Sequence, residues 1–303
     1  MNNKVELDIE GKKLALSNLE KVLYPEAGFT KGQVIDYYIR IAPVLLPHLK
    51  NRPITLKRYP EGVNGFYFYE KQCPSHRPAW IKTTQVASNR KEGKIDYCMF
   101  NDLPALVWAA NLADLELHTF LHRAPAIGRP TALAFDLDPG EPADIVLCCQ
   151  VGIWLRSFLD SLGLQSFPKT SGSKGLQLFI PLNTAATYEK TKAFAHGLAE
   201  RLEREHPDHI VSRMQKALRK GKVLIDWSQN DDHKTTINVY SLRAKAHPTV
   251  STPVTWQEVE TTVKRSDASR LSFDSDAVLR RVEKQGDLFA PVLALKQRLR
   301  GLD

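Results

Sequence analysis

Apolar residues along the chain recur with two spacings, and each change of spacing marks a change of element. In TKGQVIDYYIRIAPVLLPHL, Val34, Tyr37, Tyr38, Ile41 and Leu45 fall at helical spacing, and Thr30 with Gln33 stands in the capping-box arrangement. An amphipathic helix is predicted there. PITLKRYP and GFYFYEKQ read as short strands around the turn residues of EGVNG, and VASNRKEGKIDYCMF as a hairpin turning at Glu92-Gly93. A helix from about Leu103 to Leu112, capped by Asp102, leads into LELHTFLHR. Further on, ALAFDLD reads as a strand, ADIVLCCQVGIWLRSFLDSLG as a helix, and LQSFPKT and LQLFIPL as strands joined by SGSKG. TYEKTKAFAHGLAERLERE is a helix and KVLIDWS a strand. This order, β-α-β-β-α-β, is the split βαβ arrangement, with its first and last strands side by side and antiparallel.

That topology gives the stretch FDLDPG a chemical meaning. Alternation along a strand puts Asp136 and Asp138 on one face, and the last strand brings Asp226 beside them. Like charges this close need compensation, and carboxylate oxygens are the ligands that Mg²⁺ and Mn²⁺ prefer. Two such ions bridged by shared carboxylates serve in-line attack on phosphorus. A lone DxD before Pro-Gly is more simply a strand end and turn; the third aspartate and the nearby KTSGSKG loop shift the balance. In that loop small residues are expected to leave backbone N–H groups open to an anion, with Ser171, Ser173 and Lys174 adding donors and charge. A plain hairpin turn is the simpler reading of the loop taken alone.

Composition changes the picture only modestly. With 303 residues, 43% hydrophobic and 25% charged, the chain reads as globular with two lobes; composition marks no clean linker, and the element order, not composition, is the basis for lobes at 1–125 and 126–303 and for the α+β class. A formal charge of +8 makes polyanions plausible partners. No apolar run approaches bilayer length and the N-terminus lacks a signal-peptide core, so no membrane association and a cytoplasmic location are expected. Cys73, Cys98, Cys148 and Cys149 form no CxxC pair, so neither a disulfide framework nor a zinc site is expected, and Cys148 and Cys149 are placed in a helix. Basic clusters occur at Lys57-Arg58, at Arg213 to Lys222, where a solvated face is the simpler reading, and at Arg243 and Lys245. Between basic stretches, some of Phe66 to Tyr69 are free to stack on bases. His118 and His122 have i, i+4 spacing, but LELHTFLHR reads as readily as a strand, which argues against a metal pair.

Three functions are compatible with these residues: a nucleotidyltransferase, a phosphohydrolase of the haloacid dehalogenase type and a non-catalytic nucleic-acid module. Against the second, Gly140 stands where such enzymes carry Thr or Val, and their sheet is parallel and doubly wound. Against the third, an acidic sheet face repels nucleic acid.

FDLDPG, KTSGSKGLQLFIPL, KVLIDWSQND, SNLEKVLYPEAGFTKGQVIDYY, VSTPVTWQEV and GDLFAPVLALKQRL together resemble the polymerase domain of bacterial DNA ligase D, in the archaeo-eukaryotic primase superfamily. The resemblance runs over nearly the whole chain. It implies a primase-type palm whose split β-α-β-β-α-β, RRM-like catalytic lobe, followed by C-terminal helices, packs on the N-terminal α/β lobe as one polymerase domain. It implies addition of nucleotides, NTP preferred over dNTP, to DNA 3′ ends in nonhomologous end joining, templated and untemplated, beside Ku and at the nucleoid. Ligase and nuclease modules would act in cis or in trans. It makes Asp136, Asp138 and Asp226 ligands of two Mn²⁺ or Mg²⁺ ions. Lys57, His118, Ser171, Lys174 and Arg243 fall where the family contacts the incoming nucleotide. Asn18, Lys21 and Lys31 match its 5′-phosphate contacts, and Phe68 or Tyr69 its template-stacking aromatic. One position departs: Gln177 follows SKGL where His is expected, and a glutamine can donate a hydrogen bond without carrying charge.

Overall fold

The capping box at Thr30 is present, with Gln33 N donating to Thr30 Oγ1 at 3.3 Å and Thr30 N to Gln33 Oε1 at 2.8 Å. The computed structural model describes residues 4–88 and 92–299. They divide into two units: Met1–Pro125 with Thr235–Val250 and Phe273–Gly286, and Ala126–Lys234 with Ser251–Ser272 and Asp287–Asp303. The first segment of the first unit ends at Pro125, and two later segments return to that unit. The assignment of all of 126–303 to one lobe is corrected accordingly; Arg243 belongs with the first unit.

In chain order, β1 (Lys4–Ile9) and β2 (Lys12–Ser17) form a hairpin that the sequence pattern did not signal, and β3 (Val22–Tyr24) pairs with β4 (Phe29–Thr30). Helix α1 (Lys31–Leu49) buries Val34, Tyr37, Tyr38, Ile41 and Leu45, the stripe read from its periodicity. Strands β5 (Ile54–Arg58), β6 (Phe68–Glu70), β7 (Lys82–Ala87) and β8 (Lys94–Met99) follow. The expected hairpin is β7–β8, and part of its turn, 89–91, lies outside the described residues. Helix α2 (Leu103–Asn111) starts at Asp102, whose carboxylate accepts from Ala105 N at 3.0 Å, and β9 (Asp114–Thr119) completes this stretch. LELHTFLHR is thus a strand over its first part. Cys73 and Cys98 form a disulfide between the loop after β6 and β8, which corrects the expectation of no such bond. Their separation of 25 residues has no recognisable pattern; the loop bearing Cys73 is laid against β8, where Cys73 N donates to Asp96 O at 2.7 Å.

The second unit follows the split βαβ order. It comprises β10 (Ala132–Pro139), α3 (Ile145–Ser161), β11 (Phe167–Thr170), β12 (Leu176–Pro181), α4 (Tyr188–Glu205), a short β13 (Ile210–Val211) and β14 (Val223–Asp226). Its sheet runs β11-β12-β10-β14-β13, with β10 antiparallel to both neighbours. This excludes the parallel, doubly wound sheet of the haloacid dehalogenase reading. Cys148 and Cys149 are buried in α3. The chain returns to the first unit with β15 (Thr236–Ile237), which extends that unit's sheet into the order β15-β9-β5-β8-β7, with β6 also on β5. Helix α5 (Trp256–Arg265) belongs to the second unit, α6 (Ser275–Gln285) to the first and α7 (Pro291–Ala294) to the second. No helix among the described residues is long and apolar enough to cross a membrane.

Beyond Asp136, β14 no longer pairs with β10, and a side chain continues the ladder. Asn230, fully buried, accepts from Ala134 N at 2.9 Å and donates to Ala134 O at 2.7 Å and Trp227 O at 2.9 Å. It ties the loop after Asp226 to the strand that bears Asp136. Replacing Asn230 by alanine orphans both Ala134 groups and should cost ~1–3 kcal/mol in urea unfolding; a loss within ±0.5 kcal/mol would show that the loop is held by other contacts.

Candidate active site

Asp136 and Asp138 leave the same face of β10, and Asp226 ends β14 directly opposite Asp136 in the antiparallel register. Asp136 is half-buried, and its Oδ1 is shielded from solvent with no hydrogen-bond partner. Burial first, then the charge of Asp138 and more weakly that of Asp226, push its carboxyl up to about 7, against a hydrogen bond from Gln177 and the smaller effect of the Lys169 charge. Asp226 is held differently. One of its oxygens accepts from Ser228 N at 2.8 Å and Ser228 Oγ at 2.5 Å, and the other from Gln229 Nε2 at 2.9 Å, so the carboxylate also caps the short turn after β14.

The donor set fits a hard divalent cation: carboxylate oxygens only, with one shielded oxygen lacking a hydrogen-bond partner and a mutual repulsion that Gln177 and Lys169 oppose without overcoming. Among the described residues, no group of three or more His, Cys, Asp or Glu side chains has closed metal-binding geometry. The three aspartates are therefore aligned by strand register, not gathered into a finished coordination shell, because Asp226 is turned onto its own loop.

Two glycines make room around β10. A Cβ on Gly175 would lie 2.2 Å from Leu137 O, and one on Gly140 2.0 Å from Arg219 O, so both must lack a side chain for the flanking loops to pack against this strand. The KTSGSKG loop differs from expectation. Ser171, 6% exposed, accepts at Oγ from Ser173 N at 3.2 Å and Gly175 N at 3.1 Å, and Ser171 N donates to Gly175 O at 2.9 Å. These amides serve the turn itself and are not open to an anion. Lys174 projects outward and pairs with the exposed Glu141 at 2.7 Å. Gln177, 3% exposed, faces Asp136 across β12 and β10 and not the solvent.

In the first unit, Lys57, His118 and Arg243 are gathered by a residue that the sequence reading did not single out. Glu116 Oε2 lies 3.2 Å from Lys57 Nζ and 3.0 Å from His118 Nε2, and Oε1 lies 3.3 Å from Arg243 Nε and accepts from Ala244 N at 3.0 Å. Burial alone would raise the Glu116 carboxyl; the His118 hydrogen bond and the charges of Arg243 and Lys57 outweigh it and hold the group well below the usual carboxylate range. Burial, and then the same cations against the opposing pull of Glu116, lower the His118 imidazole, so a neutral ring donates from Nε2 to Glu116 at neutral pH. The signal for Glu116 was present in the alternation of Asp114, Glu116 and His118 along one face of a strand.

Tyr69, 56% exposed, sits edge-on to His118, and Lys57 lies over the Tyr59, Tyr67 and Tyr69 rings at 4.9–5.3 Å. Phe68 stacks on the exposed Phe66 beneath Arg58. Asn18, Lys21 and Lys31 also come together: Lys21 N donates to Asn18 O at 3.0 Å and Lys31 N to Lys21 O at 2.8 Å, at the start of α1. Lys21 pairs with Glu61 at 3.3 Å, while the Lys31 ammonium donates to Ser17 O at 2.6 Å.

The family model of the LigD primase-polymerase domain matches residues 30–289. Over 283 residues the chain is 41% identical to the multifunctional non-homologous end joining protein LigD of Mycolicibacterium smegmatis, covering 93% of this chain and 36% of that protein. The bifunctional LigD of Bacillus subtilis is 33% identical over 275 residues, 90% of this chain and 43% of that protein. The chain thus spans less than half the length of these relatives. The structure of the polymerase domain of Mycobacterium tuberculosis ligase D in complex with DNA superimposes with a TM-score of 0.86 at 40% identity, covering 92% of this chain and 98% of that one. With sequence and fold agreeing over nine-tenths of its length, the chain belongs to the LigD primase-polymerase domain family, a family of nucleotidyltransferase-type enzymes.

Proposed function

We propose that this chain extends the 3′ ends of DNA with nucleotides, templated and untemplated, as the polymerase component of bacterial end joining. The observation that carries the reading is the register setting Asp136 opposite Asp226 with Asp138 two residues along, around an oxygen that lacks a partner. Asp136, Asp138 and Asp226 would hold two Mn²⁺ or Mg²⁺ ions. Divalent ions so placed lower the pKa of an attacking hydroxyl and neutralise a pyrophosphate leaving group. Asp226 keeps its place through Ser228 and Gln229, and Lys174 would exchange Glu141 for a triphosphate oxygen. Ser171 supports the reading by closing the loop that presents Lys174. Lys57, His118 and Arg243 are the proposed nucleotide contacts of the first unit.

DNA contact rests on the exposed Phe66 and Tyr69 with Phe68, suited to stacking on template bases. It rests also on Asn18, Lys21 and Lys31 as the holders of a downstream 5′-phosphate. Ku, and ligase and nuclease modules in cis or in trans, are the proposed partners, at the nucleoid in the cytoplasm.

One assay tests the reading. A labelled primer–template with Mn²⁺ or Mg²⁺ should be extended, ribonucleotides being used in preference to deoxyribonucleotides; phosphate release from a phosphomonoester without extension would overturn the assignment. On gapped DNA, a 5′-phosphate should favour extension at pH 7 and lose part of that advantage, the Lys31 share, as the pH rises through about 8. Burial, and then the charge of Lys21, lower the Lys31 ammonium to about 8, so it discharges there. A phosphate effect equal at pH 7 and 9 would remove Lys31 from the contact.

A further inference from the structure

Lys169, on β11, is fully buried opposite Gln177 of β12. Its ammonium donates to Gln177 Oε1 and, at 2.7 Å, to Ser251 Oγ, which in turn donates to Thr170 O at 3.0 Å. An ammonium has donors and no acceptor, so this contact decides which way the Gln177 amide points: Oε1 toward Lys169, Nε2 away from it. On its other side Gln177 stands opposite Asp136 in the strand register and hydrogen-bonds that carboxylate. Since Asp136 Oδ1 has no partner, the bond falls on the other oxygen.

We propose that Lys169 and Gln177 are positioning residues for the reaction: together they pin one oxygen of Asp136 and leave Oδ1 aimed at the divalent cation. The proposal rests on the metal-binding reading of Asp136. It also accounts for the residue at position 177. The site needs a neutral side chain that accepts from a lysine and donates to a carboxylate at the same time. Glutamine does so through its two amide ends, and the histidine expected there does so through its two ring nitrogens. Glutamine meets the requirement without titrating. Position 177 thus acts on the carboxylate from within the sheet, out of reach of a substrate phosphate.

The test is Mn²⁺ binding without substrate, read from the electron paramagnetic resonance signal of the free ion, on wild type, Asp136→Asn, Gln177→Met and Gln177→His, with melting curves to establish folding. Loss of an outer-shell partner typically weakens metal affinity ~10–100-fold; that loss is expected for Gln177→Met, with Gln177→His binding close to wild type. Should Gln177→Met not fold, Gln177→Asn, too short to span both partners, should show the same loss. Wild-type affinity in Gln177→Met or Gln177→Asn alongside weak binding by Asp136→Asn overturns the positioning role alone. Equal losses in the Met and His variants overturn the donor–acceptor account. Wild-type binding by Asp136→Asn overturns the metal reading itself.

Discussion

Asp136→Asn should abolish primer extension while raising the stability of the metal-free protein above neutral pH. Asparagine keeps the shape and the donor–acceptor sites of a protonated aspartate but removes the charge a divalent ion needs. Several kcal/mol of lost transition-state stabilisation corresponds to a rate loss of roughly a thousandfold or more. The stability effect has the opposite sign. Folded Asp136 takes up its proton at about 7, against an ordinary value of 3.8, because burial and two neighbouring carboxylates oppose its charge. A group raised in the folded state contributes stability below its unfolded value and loses that contribution as the pH climbs through its folded one. Relative to Asp136→Asn, wild type should therefore lose melting temperature between about pH 4 and 7, and Mn²⁺ at pH 8 should restore it in wild type only. Near-wild-type extension by the variant would sink the assignment. A purely structural Asp136 would give loss of activity together with loss of stability, not a gain.

Glu116→Ala should destabilise the fold more than Asn230→Ala does, by about 3–5 kcal/mol in denaturant unfolding. The side chain is 2% exposed and bonded to Lys57, His118, Arg243 and the Ala244 amide, while Lys57 and Arg243 are only 13% and 16% exposed. Removing the carboxylate leaves two cations facing each other in a poorly solvated site, and the amide without its acceptor. Glu116→Gln keeps an acceptor for Ala244 and should lose less. A loss below about 1 kcal/mol, the value of an exposed ion pair, would show that water enters and takes over the role of the carboxylate.

These two residues differ in how visible they were in the primary structure. Asp136 stood out because a strand of alternating pattern ended in charge, and because the split βαβ order required Asp226 on the neighbouring strand. Both inferences use local periodicity and a topology with few alternatives. Glu116 lay in LELHTFLHR, where helix and strand patterns competed, and its partners come from positions 57, 118 and 243. Arg243 reaches it only because Thr235–Val250 rejoins the first unit, adding β15 to the edge strand β9. Local pattern carries no trace of such a return. The Ser171 hydroxyl was legible as a donor group, but its capture by the Ser173 and Gly175 amides depends on the closed geometry of a tight turn.

By itself the sequence determined α1 and α2 with their polar caps, the α+β order of the second unit, the face shared by Asp136 and Asp138, and the family. Each of these depends on residues near one another in the chain or on a motif whose spacing is preserved. Tertiary structure alone decided the Cys73–Cys98 bond, the Glu116 cluster, the Asn230 rung and the Lys169–Gln177–Asp136 relay. In each of these, the register of paired strands or the return of a loop sets which polar groups meet out of water. There, every donor needs an acceptor that no local pattern names.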